Sequence, residues 1–374
     1  IKDVIETIDM PTGMGSPLYE GWRSERDSAS VRALREAGAV IIGKTVTTEF
    51  AASEPGPTRN PWDIARTPGG SSSGSAAGVA AGYFSTALGT QVVGSILRPA
   101  SYNGVVGFKP TVGAINRGGS HDFMSQSVQG VLGATLEDTW QVAREIGDRT
   151  GGDPGSPGLY GPASMPATQA PKRLAFLQTA GWPMASEEAK AAMQTALSAL
   201  RAAGIEVLTR NNSDLVEEVE QAIASAHQLT RDINTWESRW PLNTYRDRDA
   251  TKLSAAMQAR AKDAEEMTLE AYRARIAKRD AIRTTYAGLA NCVDACVSLT
   301  ADTEAPVGLK ATGNAVFVVV GSVLGIPTLS LPILSANNLP LGLQVLGFSN
   351  RDDHAFATAA GIIDCVGYDG AVRA

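Results

Sequence analysis

Apolar and polar positions along this chain fall into blocks that switch between a helical and a strand-like period. Residues 27–38 read as a helix, with Asp27 or Ser28 as cap, Val31 and Leu34 on the apolar face, and Gly38 closing it. The apolar run at 39–42 predicts a buried strand. Residues 67–82 are rich in Gly and Ser and then in Ala. The run at 83–88 predicts another strand, and a second Gly turn spans 89–95. Beyond these, the pattern predicts a capped helix from Thr135 to about Ile146, a strand at 173–177, a helix over 186–203 ended by Gly204, and a strand at 205–208.

Between about 212 and 290 the strand signals vanish. Charged amphipathic patterns, strongest over 268–289, predict a helical layer or cap. Strands return at 293–299, 326–331 and 341–346, and a helix over 352–363 closes the pattern. The strands on either side of the helical block need partners. The expected architecture is therefore α/β, a single domain over 1–374 with one large mixed sheet covered by helices on both faces.

Composition changes this picture little. A chain of 374 residues, 43% hydrophobic, can bury a substantial core. The net charge of -6, with Lys and Arg scattered, offers no field for a polyanion, so nucleic acid is not an expected ligand. The longest apolar stretch is interrupted near Gly321 and Gly325, short of the roughly 18 residues a membrane span needs. Three cysteines and three histidines show no metal-ligand spacing, and the setting expected is a reducing cytoplasm. Cys292 and Cys296 read as small buried residues. The abrupt start at Ile1-Lys2-Asp3, without initiator Met, signal peptide or helix cap, reads as an incomplete amino terminus.

One motif misleads. Residues 38–45 match the phosphate-loop pattern G-x-x-x-x-G-K-[ST]. Such a loop follows a strand and opens a helix, whereas here a helix precedes it and its variable positions are mostly branched and apolar. ATP binding is not expected.

Candidate chemistry lies in two Gly/Ser turns. His121, His227 and His354 have no evident acidic or serine partner nearby in sequence, which directs attention from a histidine base to a lysine held neutral by burial. The first turn, Gly69-Gly70-Ser71-Ser72-Ser73-Gly74-Ser75, runs into small residues suited to a helix packed close beneath it. The second, Gly89 to Ser95, continues into Arg98-Pro99 and the apolar stretch 104–110. Taken alone, each turn reads as a surface loop or linker.

Together these segments resemble the amidase signature family, whose serines stand 24 residues apart as Ser71 and Ser95 do. Ile1-Lys2-Asp3 resembles the strand that bears the family's catalytic lysine. The resemblance extends through 43–51 and 67–68 to 325–328 and 340–344, nearly the whole chain. It implies the amidase signature fold and a Ser-cisSer-Lys triad. In it Ser95 is the nucleophile, Ser71, on a cis peptide bond, is the proton relay, and Lys2 is the base. Ser72 would brace the relay. Backbone N–H groups of Val92, Val93, Gly94 and Ser95 would form the oxyanion hole. Gln91 stands where the family often has an acidic residue, Val93 where it has glycine, and Arg98 lies one step later than usual, which puts an inherited ion pair at Arg98 in question and would narrow the pocket. The expected reaction is amide hydrolysis through an acyl-enzyme on Ser95, with no cofactor and no metal.

The substrate is less legible. Phe123 and Met124, with Trp236 and Trp240 in the helical block, are candidates for an apolar pocket, although each reads equally well as ordinary packing. An apolar or aryl small-molecule amide is the expected substrate. A carbamate remains open, and so does a role as the amidase subunit of a glutamine-dependent tRNA amidotransferase. No membrane partner is expected, and a homodimer stays open.

Overall fold

A computed structural model of the chain describes residues 1–52, 54–122 and 124–367. Among these residues eight strands pair into one mixed sheet: β1 (Thr86–Gln91), β2 (Val106–Lys109), β3 (Val128–Gly133), β4 (Arg173–Phe176), β5 (Glu206–Leu208), β6 (Ala295–Leu299), β7 (Thr328–Ala336) and β8 (Leu339–Leu346). Their order is β1-β3-β2-β7-β8-β6-β4-β5. Neighbours are antiparallel except β4 with β5 and β4 with β6. Strands before and after the helical block thus join the same sheet, as the α/β expectation required.

Twelve α-helices of the described residues accompany the sheet: α1 (Ala29–Glu36), α2 (Ser73–Ala80), α3 (Leu97–Asn103), α4 (Leu136–Thr150), α5 (Glu187–Ala202), α6 (Asp214–Ile223), α7 (Ala226–Glu237), α8 (Arg239–Asp249), α9 (Ala255–Glu266), α10 (Leu269–Ala287), α11 (Val319–Leu324) and α12 (Asp352–Val366). Hydroxyl caps begin several of them. Ser28, Thr135 and Ser186 accept the N–H groups of Val31, Asp138 and Ala189. The caps and Gly38, at φ +86°, place these helix ends where the sequence pattern puts them.

Strand alternation divides the core between the two faces of the sheet. Leu174 and Phe176 of β4 face one way, packing with residues of α4, α5 and α12. Ala175, with Leu177 just beyond the strand, faces a second cluster built from α6, α7, α10 and α11. A third cluster joins α2 and α3 to β1 and β3. A separate, smaller cluster holds Leu242, Tyr245, Met257 and Ala261 of α8 and α9 against Leu18. Helices fill 214–287, the block where strand signals were absent. No described helix is long and apolar enough to cross a membrane.

Three local expectations are corrected. Residues 39–42 are not a buried strand: Val40 is 83% and Ile42 66% exposed, and in this neighbourhood only Thr45 forms a bridge, to Lys2. Branched residues favour extended backbone, but without a ladder partner they make no strand. The strand placed at 83–88 lies at Thr86–Gln91, with Tyr83 exposed, so Gly89 belongs to β1 and not to a turn. A Cβ at Gly89 would sit 2.8 Å from Leu132 Cδ1 and 2.9 Å from Ser72 Oγ, which explains a glycine inside a strand. Of the two cysteines, Cys296 is buried in β6 whereas Cys292 is exposed.

Candidate active site

The first Gly/Ser turn is pinned between three neighbours. A Cβ at Gly69 would meet Pro99, one at Gly70 would lie 2.8 Å from Thr312, and one at Gly74 would lie 2.5 Å from the Val46 nitrogen. Only glycine allows this approach. The Gly70–Ser71 peptide bond is cis, as the resemblance implied. Arg98, buried, donates through its terminal nitrogen to Gly70 O at 2.7 Å and to Thr312 Oγ1 at 2.9 Å. Its partners are thus a backbone carbonyl of the turn and a hydroxyl that packs against it.

Lys2 is held by backbone bonds that tie it to β1 and to Thr45: its N–H donates to Leu88 O at 3.2 Å, and Asp3 N–H donates to Thr45 O at 3.1 Å. Its side chain is fully buried. Lys2 Nζ lies 2.7 Å from Ser71 Oγ, 2.7 Å from Thr90 Oγ1 and 3.3 Å from Thr90 O. Burial pushes its pKa down from 10.5 to about 7, opposed by the nearby Asp122 carboxylate. A fully desolvated amine prefers the neutral form, so this lysine can accept a proton near neutral pH.

Ser95 lies in the turn between β1 and α3, 8% exposed. Ser72 N–H donates to Ser95 O at 3.2 Å, which sets the two serine turns side by side, and Ser72 Oγ donates to Thr90 O at 3.3 Å. Ser71 Oγ and Ser95 Oγ do not hydrogen-bond to each other in this structure. Among the described residues, the backbone N–H groups of Val92, Val93, Gly94 and Ser95 donate to no acceptor in the chain. Gly94 must be glycine here, because a Cβ would fall 2.3 Å from Val318. Val93 packs against two apolar clusters.

Two residues of β1 have contacts that the sequence did not show. Thr90 supplies two of the three contacts to Lys2 Nζ. Gln91 points the other way: its carbonyl oxygen accepts from Ile96 N–H at 2.9 Å and Leu97 N–H at 3.1 Å, and its amide donates to Ser322 Oγ at 3.0 Å. Ser322 Oγ in turn donates to Val93 O at 2.9 Å. This chain of bonds fixes the turn that carries Ser95.

The proposed substrate residues separate. Met124 lines a narrow hollow with Val92, Phe50, Tyr245, Met257 and Arg260, and neither Ser71 nor Ser95 is among its lining residues. Met124 also borders a shallow groove with Trp236 and Trp240. In that groove Trp236 stacks on Tyr272 at 5.4 Å, and Trp240 is 60% exposed. Phe123 lies outside the described residues. A more open hollow of about 420 Å³, lined by Ile1, Val40, Ile42, Tyr83 and Val142, includes neither Ser71 nor Ser95. His121 has an acidic neighbour after all, with Nε2 3.2 Å from Glu6 Oε1.

A family model described as Amidase matches residues 1–355. The A subunit of the glutamyl-tRNA(Gln) amidotransferase of Salinispora arenicola is 32% identical over 98% of this chain and 83% of its own length. Its counterpart from Acidothermus cellulolyticus is 50% identical, but over 33% of this chain and 26% of that protein, so in this pairing the match spans about a quarter of the relative. Among solved structures, an amidase is 26% identical with a TM-score of 0.82, covering 97% of this chain and 82% of that one. A peptide amidase in complex with the competitive inhibitor chymostatin is 29% identical with a TM-score of 0.74, over 97% and 82% respectively.

Proposed function

Because the chain belongs to the Amidase family, we propose that it hydrolyses a carbon–nitrogen amide bond, with Ser95 as nucleophile, Ser71 as relay and Lys2 as base. The observation that carries this reading is the fully buried Lys2 Nζ, 2.7 Å from Ser71 Oγ on a cis peptide bond, in a turn bonded to the backbone of Ser95. With the amine neutral, its two N–H groups serve Thr90 and its lone pair accepts from Ser71 O–H. Ser71 then has its own lone pairs free for the Ser95 hydroxyl once substrate draws the two together, since such bonds commonly tighten only in the complex.

Ser95 Oγ attacks the carbonyl carbon while its proton passes to Ser71 and the Ser71 proton passes to Lys2. The carbonyl oxygen takes up the negative charge and accepts from the free N–H groups of the 92–95 turn. Collapse breaks the C–N bond, the amine leaves with the proton returned through Ser71, and the acyl group stays as an ester on Ser95. Water attacks that ester by the same relay, releasing the acid and restoring Ser95. Arg98, Ser72 and Gln91 touch no reacting atom in this scheme. They hold the two turns.

The apolar walls of the hollow beside Val92 favour an amide with an apolar or aryl portion. The similarity to the A subunit of glutamyl-tRNA(Gln) amidotransferase supports a second reading, a glutaminase that supplies ammonia to partner subunits. A panel of aryl amides, aliphatic amides, carbamates and glutamine, run beside Ser95→Ala, separates these. Hydrolysis of simple amides lost in Ser95→Ala supports the first reading. Turnover of glutamine alone moves the assignment to the second, and retained turnover in Ser95→Ala removes the nucleophile.

A further inference from the structure

The hollow that Val92 helps to line has apolar walls, Phe50, Leu242, Tyr245 and Met257, and a permanent cation, Arg260 of α9. Among the described residues, the Arg260 guanidinium makes no hydrogen bond and no ion pair. Two other arginines of the helical layer have carboxylate partners: Arg246 meets Glu265 at 2.6 Å and Arg275 meets Asp232 at 3.1 Å. The charges that act on Arg260 are Asp122, attractive, and Arg231 of α7, repulsive. Asp122 is already engaged, since Ser127 Oγ donates to it and its charge also acts on Lys2.

Buried polar groups without partners stand on segments next to residues that line the hollow. Gln126, in the loop that carries Asp122, is fully buried, and among the described residues neither its amide oxygen nor its amide nitrogen has a partner. Asn234 Oδ1 and Thr230 Oγ1 of α7 are buried without partners there too, and Asn234 precedes Ser238, which lines the hollow, by one helical turn. Arg260 is half-buried, and a guanidinium in that setting without a direct ion pair has donors left for an anion.

We infer that Arg260 binds a carboxylate carried by the substrate, so that the amide hydrolysed here belongs to a compound with an acidic group beyond an apolar spacer. This rests on the amidase reading and narrows it. The apolar walls take the spacer, Val92 and the turn behind it face the scissile carbonyl, and the planar fork of Arg260 receives both carboxylate oxygens.

Two matched pairs of amides test it, with the acid on either side of the scissile bond: adipamate against hexanamide, and N-hexanoyl-β-alanine against N-hexanoylpropylamine. In the wild-type protein the acidic member of at least one pair exceeds its neutral partner in kcat/KM by about 10-fold or more. Arg260→Gln erases that preference, bringing the acidic member down to the rate of its neutral partner in the same variant, and Arg260→Lys restores part of it. Equal rates within both pairs, or a preference that survives Arg260→Gln, overturns the inference. A binding measurement needs no turnover: calorimetry of adipate with Ser95→Ala and with Ser95→Ala/Arg260→Gln, both checked for an unaltered melting transition. Adipate bound by the first and lost in the second supports the carboxylate site even where every amide is inert, an outcome that removes the amidase reading alone. Adipate bound equally by both, or by neither, removes the carboxylate site.

Discussion

Thr90 and Gln91 are adjacent in β1, and strand geometry sends their side chains to opposite faces. One meets Lys2 Nζ and the other caps the segment leading into α3. The sequence motifs showed Lys2, Ser71 and Ser95 as a set, but they placed 89–95 in a turn and so hid this division of labour. Arg260 had no signal at all, being one cation in a charged helical block. Replacing Gln91 by Leu leaves the buried N–H groups of Ile96 and Leu97 without an acceptor and is expected to cost about 2 kcal/mol or more. Gln91→Glu keeps two acceptor oxygens and is expected to retain turnover. Chemical denaturation of both variants, with an activity assay of the second, checks this, and a Gln91→Leu protein as stable as the parent would contradict it.

At the scale of elements, hydroxyl caps and glycine stops made the helices legible, because they act within a few residues. The sheet was harder. β3 reads Val-Gln-Gly-Val-Leu-Gly and is buried on both faces, so it shows no alternation, and β2 is four residues long. The run at 39–42 has strand composition but finds no ladder. The helical layer also differs internally: α8 and α9 are anchored by a small separate cluster, whereas α6, α7 and α10 pack on the sheet. Local openings follow such boundaries. Amide hydrogen exchange is therefore expected to be faster across α8 and α9 than across α10, β7 and β8. Equal protection would show that these helices are not a separately opening unit over the hollow beside Val92.

Across the whole molecule, a second buried lysine links the chemistry of the fold to pH. Lys109 of β2 is fully buried, its Nζ donates to Pro110 O at 2.8 Å, and burial pushes its pKa from 10.5 to about 7. A pKa lowered by folding means that the unfolded chain binds the extra proton between about pH 7 and 10.5, so the penalty grows as pH falls through that window and levels off below it. The stability of Lys109→Met relative to wild type is expected to be greatest near pH 7 and to shrink toward pH 10. Melting temperatures across that range check the slope, and a difference that widens with pH would reverse the assignment.

The same desolvation at Lys2 is what the proposed relay needs, and the rate at which a fluorophosphonate labels the protein reports on it directly. Intact-mass and peptide mapping should find one adduct, on Ser95, forming faster as pH rises through about 7 and then levelling off. In Lys2→Ala the same adduct should form slowly at every pH. An adduct on another residue, or a Lys2→Ala protein labelled at the wild-type rate, would contradict the account.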